Sequence, residues 1–190
     1  LPVPGGNSPI EVLPDGRGYL LFPGSMIGMV ETFDVRPGRA LSTFDRVLAI
    51  GPTRLLVQWC NREARCHGDA VVDRADGKHR PITIPFAGGD ETGVISPDGR
   101  SAALPLSMPS AAIMYVDLAT GAIRSLALQP DVTDEQTVAW SPDSQWLFVL
   151  GRQGDLYAVG RRTGKVVEDL TTALHLPPLD QLAIRPAPSS

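Results

Sequence analysis

The stretch Val94-Ile95-Ser96-Pro97-Asp98-Gly99-Arg100 decides the fold, because the similar stretch Ala139-Trp140-Ser141-Pro142-Asp143-Ser144 follows with its proline 45 residues later. In each copy an apolar pair runs into a tight turn. The proline presets φ, the aspartate accepts hydrogen bonds from its own backbone, and the glycine of the first copy accepts a positive φ. Such a run indicates a β-strand that enters a hairpin.

The marker recurs along the whole chain. Its prolines are spaced by 38, 45, 45 and 44 residues, and they are Pro14, Pro52, Pro97, Pro142 and Pro186. A second marker, a turn glycine, follows the first four prolines by 22 to 25 residues, at Gly38, Gly77, Gly121 and Gly164. Two independent markers that share one period indicate an internal structural repeat.

Short β-rich runs lie between these markers, and the clearest are 19–22, 55–59, 102–106 and 146–150. Each unit therefore reads as a four-stranded antiparallel meander of about 44 residues, which is the length of a β-propeller blade. The predicted fold is all-β, a single propeller domain over residues 1–190. Its predicted units are 8–44, 45–88, 89–133 and 134–176, with an extra innermost strand at 179–186. Room for a helix remains only as one turn near Asp169 to Leu174.

The phrase Tyr115-Val116-Asp117-Leu118-Ala119-Thr120-Gly121 and the two Ser-Pro-Asp turns resemble the repeats of TolB-type propellers, relatives of the WD-repeat and YncE-like families. The resemblance covers about residues 10 to 186. It implies a propeller and, more often than a catalyst, an extracytoplasmic binding domain, although propellers host many functions. The first unit departs from the pattern because it is shorter, and the second carries Gly51-Pro52-Thr53 in place of Ser-Pro-Asp.

The number of blades is left open by a fifth copy of the innermost-strand motif at Leu182 to Ile184. Four blades can close the smallest propeller ring. The fifth copy is then either an irregular closing strand, or part of a larger ring that further sequence or a second chain completes. An unpaired terminal blade would expose a sheet edge, which natural proteins rarely leave uncovered.

Charge and hydropathy exclude several partners. The chain has 17 Lys and Arg against 21 Asp and Glu, a net charge of −4, and no basic block, so neither nucleic acid nor an anionic membrane surface is expected as a partner. No apolar run approaches the roughly 18 residues of a spanning helix, so direct membrane insertion within this segment is not expected. The start at Leu1 rather than Met favours a processed chain and leaves an upstream signal or anchor open.

Two cysteines, Cys60 and Cys66, face each other across a predicted hairpin loop. A disulfide there requires only that their Cα atoms come within about 7 Å. Zinc would need more ligands than the adjacent His67 supplies, and a pair of free thiols is the cytosolic alternative. We predict the disulfide, and with it an oxidising compartment.

The sequence offers little support for a catalytic function. No Gly-x-Ser-x-Gly elbow is present, and the three histidines, His67, His79 and His175, lie on different units without metal-ligand spacing. No catalytic residue, metal or cofactor is therefore predicted. We interpret the aspartates that precede the turn glycines, Asp34, Asp73 and Asp117, as turn acceptors, and the tryptophans Trp59, Trp140 and Trp146 as core packing.

One acidic pattern points to a binding site. Carboxylates recur in the loops that lead into the innermost strands, at Asp45, Asp90, Glu91, Asp134, Glu135 and Asp180. In a propeller these loops surround one mouth of the central channel. They are either solvated turns or a site for a cationic peptide, a basic protein surface or a hard cation.

The sequence thus predicts a secreted, periplasmic or membrane-anchored propeller that recognises a protein or ligand without catalysis. Two alternatives stay open: a propeller enzyme of the lactonase or lyase type, and an accessory propeller of a larger hydrolase. A homodimer, or completion of the ring by further blades, is expected if the four units do not close.

Overall fold

A computed structural model of the chain shows sixteen strands and one short helix among the residues that it describes. The described residues are 10–12, 18–23, 30–34, 39–40, 46–60, 65–84, 93–106, 112–127, 137–151, 153–163, 166–179 and 182. For residues 10–46 the description is of the backbone alone.

The strands form four consecutive antiparallel meanders of four strands each. The first consists of β1 (Ile10–Val12), β2 (Gly18–Pro23), β3 (Val30–Asp34) and β4 (Arg39–Ala40). The second consists of β5 (Arg46–Ile50), β6 (Arg54–Cys60), β7 (Cys66–Asp73) and β8 (His79–Ile82).

The two remaining meanders repeat this order. The third consists of β9 (Gly93–Ile95), β10 (Ser101–Leu106), β11 (Ala112–Asp117) and β12 (Ile123–Ala127). The fourth consists of β13 (Thr137–Trp140), β14 (Trp146–Leu150), β15 (Leu156–Gly160) and β16 (Val166–Asp169). The helix α1 (Leu170–Leu174) follows, with Asp169 as its N-cap, which confirms the predicted helical turn.

The meanders pack in chain order through their faces. The strands that join them are β3 with β5, β5 with β9, and β9 with β13. The prediction of an all-β, propeller-like fold is therefore confirmed. The predicted extra strand at 179–186 falls largely outside the described residues, of which only Leu179 and Leu182 belong to it.

Both faces of the inner blades are apolar because side chains alternate along each strand. In β6, Leu55 and Val57 point to one face and join a cluster with Val47 and Val72. Leu56 points to the other face and joins a second cluster, between the second and third meanders. The core is thus a series of layers between blades.

Among the side chains that the structure describes, the layer between the second and third meanders holds the most buried residues. It receives Leu48, Leu56, Val71 and Ile82 from the second meander and residues of β9, β10 and β11 from the third. An equivalent layer lies between the third and fourth meanders, where Tyr115 packs edge-on against Trp140 with ring centroids 5.8 Å apart. Each buried aliphatic side chain in these layers contributes about 1.5–3 kcal/mol relative to exposure.

Two glycines near the junction of β5 and β9 stand where a side chain would not fit. β5 and β9 pair in parallel, with Ala49 opposite Gly93. A Cβ on Gly51 would lie 2.6 Å from the Cβ of Ile95, and a Cβ on Gly93 would lie 2.2 Å from the carbonyl oxygen of Ala103. Both distances are below any normal contact, so the approach of the second blade to the third requires glycine at position 51, and the close packing of β9 on β10 requires glycine at position 93.

We expect Gly51→Ala to destabilise the protein by about 1–3 kcal/mol, because the added methyl must push β9 away from β5. The control is Gly68→Ala, since a Cβ at Gly68 would lie 4.0 Å from the nearest side-chain atom, in Trp59. Urea denaturation followed by circular dichroism measures both. Equal stability of the two variants would contradict the close approach at Gly51.

Candidate functional site

The direction of the strands defines two ends of the blade stack. Innermost strands β5, β9 and β13 begin at one end, which we term the mouth end, and finish at the other, which we term the turn end. The Ser-Pro-Asp turns lie at the turn end. The β6–β7 and β14–β15 loops lie at the mouth end, because each antiparallel hairpin reverses the chain.

The six predicted acidic residues lie outside the described residues: Asp45, Asp90, Glu91, Asp134, Glu135 and Asp180. The grouping of these side chains around one mouth therefore stays a prediction. The strands that follow three of the loops are described. β5 and β9 pair in parallel, and β9 contacts β13, so these three strands begin at the same end of the stack.

The predicted disulfide is present at the mouth end. Cys60 and Cys66 are bonded, their Cα atoms lie 3.9 Å apart, and they pair in register at the end of the β6–β7 hairpin. No free cysteine occurs in the chain. The bond closes the loop of a hairpin whose strands belong to the second blade.

Removing this bond with Cys60→Ser and Cys66→Ser together should lower the free energy of unfolding by about 2 to 3 kcal/mol, as the loop-entropy model gives for a ring this short. The fold should survive, because the β6–β7 pairing extends to Arg54 and Asp73. Differential scanning calorimetry measures the loss. Titration of the denatured, unreduced wild-type chain should find no thiol, and two thiols would contradict the bond.

A buried carboxylate lies near the mouth end, on the face of the second blade. Asp69 accepts hydrogen bonds from Gln58 Nε2 at 3.1 Å and from the Ile84 backbone N–H at 3.2 Å. Burial raises the pKa of Asp69 above its usual value, although both hydrogen bonds act in the opposite direction. These contacts tie β7 to β6 and to the segment after β8, which is a structural role.

At the turn end the two Ser-Pro-Asp motifs adopt one geometry. Asp98 Oδ1 accepts from Ser96 Oγ at 2.7 Å and from the Arg100 N–H at 3.0 Å. Asp143 Oδ1 accepts from Ser141 Oγ at 2.5 Å and from the Gln145 N–H at 3.0 Å. Both carboxylates are turn acceptors, as predicted from the sequence.

Residues with positive φ and aspartates at the strand ends form further turns at this end. Gly99 has φ of 69°, and Ser144, which takes its place in the fourth blade, has φ of 60°. Asp73 accepts from the Ala75 N–H, and Asp117 accepts from the Ala119 and Thr120 N–H groups. The interpretation of Asp73 and Asp117 as turn acceptors is confirmed. Asp34 was interpreted in the same way, and its side chain lies outside the described part of the structure.

Asp98 also joins the third blade to the fourth. Its Oδ2 accepts from Arg161 Nη1 at 2.5 Å, and its backbone N–H donates to Ser144 Oγ at 3.1 Å. Burial alone would raise the pKa of Asp98. The hydrogen bonds from Ser96, Arg161 and Arg100, together with the Arg161 charge, hold that pKa below its usual value.

We expect Asp98→Asn to be less stable than Asp143→Asn at pH 7, by about 0.5–1 kcal/mol for a half-exposed ion pair. Both variants keep an oxygen for the turn, and only the first loses the Arg161 contact. A depressed native pKa stabilises the fold above the unfolded pKa, and the effect disappears as pH falls through the native pKa. Thermal unfolding from pH 7 to pH 2.5 should therefore show the gap closing, whereas a constant gap would contradict an ionic contribution.

Sequence reasoning missed a set of arginines that cross between blades. Arg80 of β8 donates to the carbonyls of Leu118 and Ala119 in the third blade. Arg124 of β12, 44 residues later, donates to the carbonyls of Arg161 and Arg162 in the fourth blade. The 44-residue spacing was the available signal, and it equals the repeat period.

Two further arginines secure the turn end of the second blade. Arg54 donates to the Gly99 carbonyl of the third blade at 2.7 Å, and Arg74 donates to the carbonyls of Gly51 and Pro52 at 2.7 and 2.9 Å. Backbone carbonyls at a turn lack strand partners, so an arginine side chain can satisfy them. Arg54 thereby joins the second blade to the third, and Arg74 acts within the second blade.

The three tryptophans divide between core and surface. Trp140 is buried and donates from Nε1 to the Val94 carbonyl, and Trp59 packs against the edge of a core cluster and the His79 ring. Trp146 was also predicted to pack in the core. That prediction is wrong, because Trp146 is 39% exposed on the outward face of the fourth blade.

Within the described residues, no group of three or more His, Cys, Asp and Glu side chains is placed to hold a metal ion. The described helix is too short to cross a membrane. His67, His79 and His175 are exposed, and no two of them share a strand.

Comparison with known proteins supports the fold alone. No protein-family model and no curated protein sequence matches the chain. Two similar solved structures are Kuenenia stuttgartiensis hydrazine synthase (22% identity, TM-score 0.54) and TolB from Acinetobacter baumannii (21% identity, TM-score 0.53). The alignments cover 86% and 83% of this chain, but only 49% and 41% of the two neighbours.

The chain is thus an all-β, propeller-like module with TolB among its structural neighbours. It spans less than half the length of the two neighbours.

Proposed function

We propose that this chain is a non-catalytic, extracytoplasmic propeller module that recognises a basic segment of a partner protein at the mouth end. The observation that carries the proposal is the parallel pairing of β5 with β9. Because these strands start side by side and β13 follows, we expect the acidic loops that lead into them to lie at one end of the stack.

Charge favours a cationic partner. Five of the six carboxylates precede β5, β9 and β13 by one to three residues, and Asp180 leads into the fifth copy of the motif. Carboxylates grouped around one opening repel each other, and a bound cationic chain relieves that repulsion. Such rim charges act chiefly on the rate of encounter and on the choice of partner.

The contrast between the two ends supports the same assignment. At the turn end the aspartates Asp73, Asp98, Asp117 and Asp143 accept hydrogen bonds within their own turns. These carboxylates serve the fold. The six acidic residues of the proposed site fall in loops without this turn motif, so the Ser-Pro-Asp turn does not account for them.

The disulfide supports the proposed compartment and the recognition role. A bond between Cys60 and Cys66 persists in secreted and periplasmic proteins and is rare in the cytosol. It also closes the β6–β7 loop at the mouth end. A stiff loop loses less conformational entropy when a partner binds beside it.

Replacing Asp90 with Asn and Glu135 with Gln together should slow association with a fluorescent hexa-arginine peptide and leave stability nearly unchanged. Rising salt should weaken wild-type binding, because exposed charges are screened over about 8 Å at physiological ionic strength. Stopped-flow fluorescence at several salt concentrations measures the association rate.

The matched control is Asp76→Asn with Asp143→Asn, which removes two charges from the turn end. An equal loss of association rate in both double variants would show attraction to net charge alone and would contradict a mouth site. Absence of binding by the wild type would refute the proposal. Stabilisation by calcium chloride without peptide binding would replace the basic peptide with a hard cation as ligand.

A further inference from the structure

The chain that follows β16 runs along the mouth end of the fourth blade, and we call residues 170–179, which include α1, the return segment. The Leu179 N–H donates a hydrogen bond of 3.1 Å to the Gly154 carbonyl. Gly154 belongs to the β14–β15 loop, which lies at the mouth end. The return segment therefore brings Leu179 to the end of the stack where the innermost strands begin.

Gly154 allows the return segment to lie directly against this loop. It is buried, its φ is 84°, and a Cβ there would lie 2.5 Å from the Leu179 nitrogen and 2.8 Å from the Pro178 Cα. Both atoms belong to the backbone, which cannot move aside as the end of a flexible side chain can. A side chain at position 154 would therefore push Pro178 and Leu179 away from the loop.

A second contact ties the start of the return segment to β15. Thr171 Oγ1 accepts from the Leu156 N–H at 2.6 Å, and the Thr171 carbonyl accepts from the Leu176 N–H at 3.0 Å. Leu156 is the first residue of β15 and is buried. Thr171 thus joins α1 both to the mouth-end start of β15 and to the residues that follow the helix.

The second blade ties its own outgoing segment at the equivalent position. Asp69 and Leu156 are equivalent, because each lies four residues before the last residue of the third strand of its blade. Asp69 accepts from the Ile84 N–H just after β8, and Leu156 donates to Thr171 just after β16. Different chemistry at one strand position therefore anchors both of these segments at the mouth end.

Asp180 follows Leu179 directly, so its Cα lies about 3.8 Å from the Cα of a residue that is fixed at the mouth end. We propose that Gly154 and Thr171 are positioning residues that hold Asp180 at the mouth end, where its carboxylate contributes to binding of the cationic segment. This role rests on the proposed function. Gly154 acts by leaving room for the backbone of the return segment, and Thr171 acts by tying α1 to β15.

The first test compares Gly154→Ala, Asp180→Asn and the variant with both changes, by stopped-flow association with the fluorescent hexa-arginine peptide. Each single change should slow association about two- to threefold at low ionic strength, because one carboxylate is displaced or neutralised. The double variant should be no slower than Asp180→Asn alone, because Gly154 acts through Asp180. Additive effects would overturn the proposal.

Thr171 offers a variant that keeps the size of the side chain. Thr171→Val removes the acceptor for the Leu156 N–H and should slow association to the same extent as Gly154→Ala. Thr171→Ser keeps the hydroxyl and should retain the wild-type rate. Equal rates for the valine and serine variants would contradict the role of the Thr171 hydroxyl.

The matched control is Gly121→Ala at the turn end. Gly121 also has a positive φ, 77°, and a Cβ there would lie 3.1 Å from the Thr83 carbonyl oxygen. This variant should lower the melting temperature and leave the association rate unchanged. If it slows association as much as Gly154→Ala does, lost stability rather than the position of Asp180 sets the rate, and the proposal is wrong.

Amide hydrogen exchange measured by NMR tests the anchor without any ligand. The Leu179 N–H should exchange slowly in the wild type and at least about tenfold faster in Gly154→Ala, because its hydrogen bond to the loop is lost. Fast exchange in the wild type would overturn the positioning role, whatever the peptide does. Slow exchange without any peptide binding would instead refute the proposed function, and with it the role of Asp180 in binding, so the two failures are distinguishable.

Discussion

The second and third blades are apolar on both faces, and the rest of the described structure depends on this constraint. Strand β6 sends Leu55 and Val57 into one layer and Leu56 into the next, so a single blade cannot bury its own side chains. Burial comes only from the neighbour on each side, at about 25 cal/mol per Å² of apolar surface removed from water. The stability of the protein therefore depends on the stack of blades, because its hydrophobic core lies at the interfaces between them.

Polar groups of the turn end add a second set of contacts between consecutive blades, beside the packing of their apolar faces. Arg54 and Arg80 reach turns of the third blade, and Arg124 reaches a turn of the fourth. Asp98 binds Arg161 and so also joins the third blade to the fourth. These side chains make contacts that hold the blades together. Our proposal therefore assigns recognition to the mouth end, where the sequence places charged residues outside the Ser-Pro-Asp turns.

The period, the strands and the disulfide could be predicted because local chemistry determines them. Pro97, Asp98 and Gly99 specify a turn whatever surrounds them, and Cys60 and Cys66 flank one hairpin. The crossing arginines could not be predicted, since an arginine on an outer strand is usually a solvated residue. Trp146 was misplaced because strand alternation tells which face a side chain occupies and not whether another blade covers that face.

For the proposed acidic site, the sequence defines which loops carry the carboxylates, and the parallel pairing of β5 with β9 shows only that the strands after two of these loops begin at the same end. In our proposal the distances between these charges depend on the angles between the blades, which contacts such as Arg54 with Gly99 and Asp98 with Arg161 influence. Recognition of a cationic segment at the mouth end would therefore depend on the same interfaces that bury the core, because a change in the angle between blades changes the spacing of the charges.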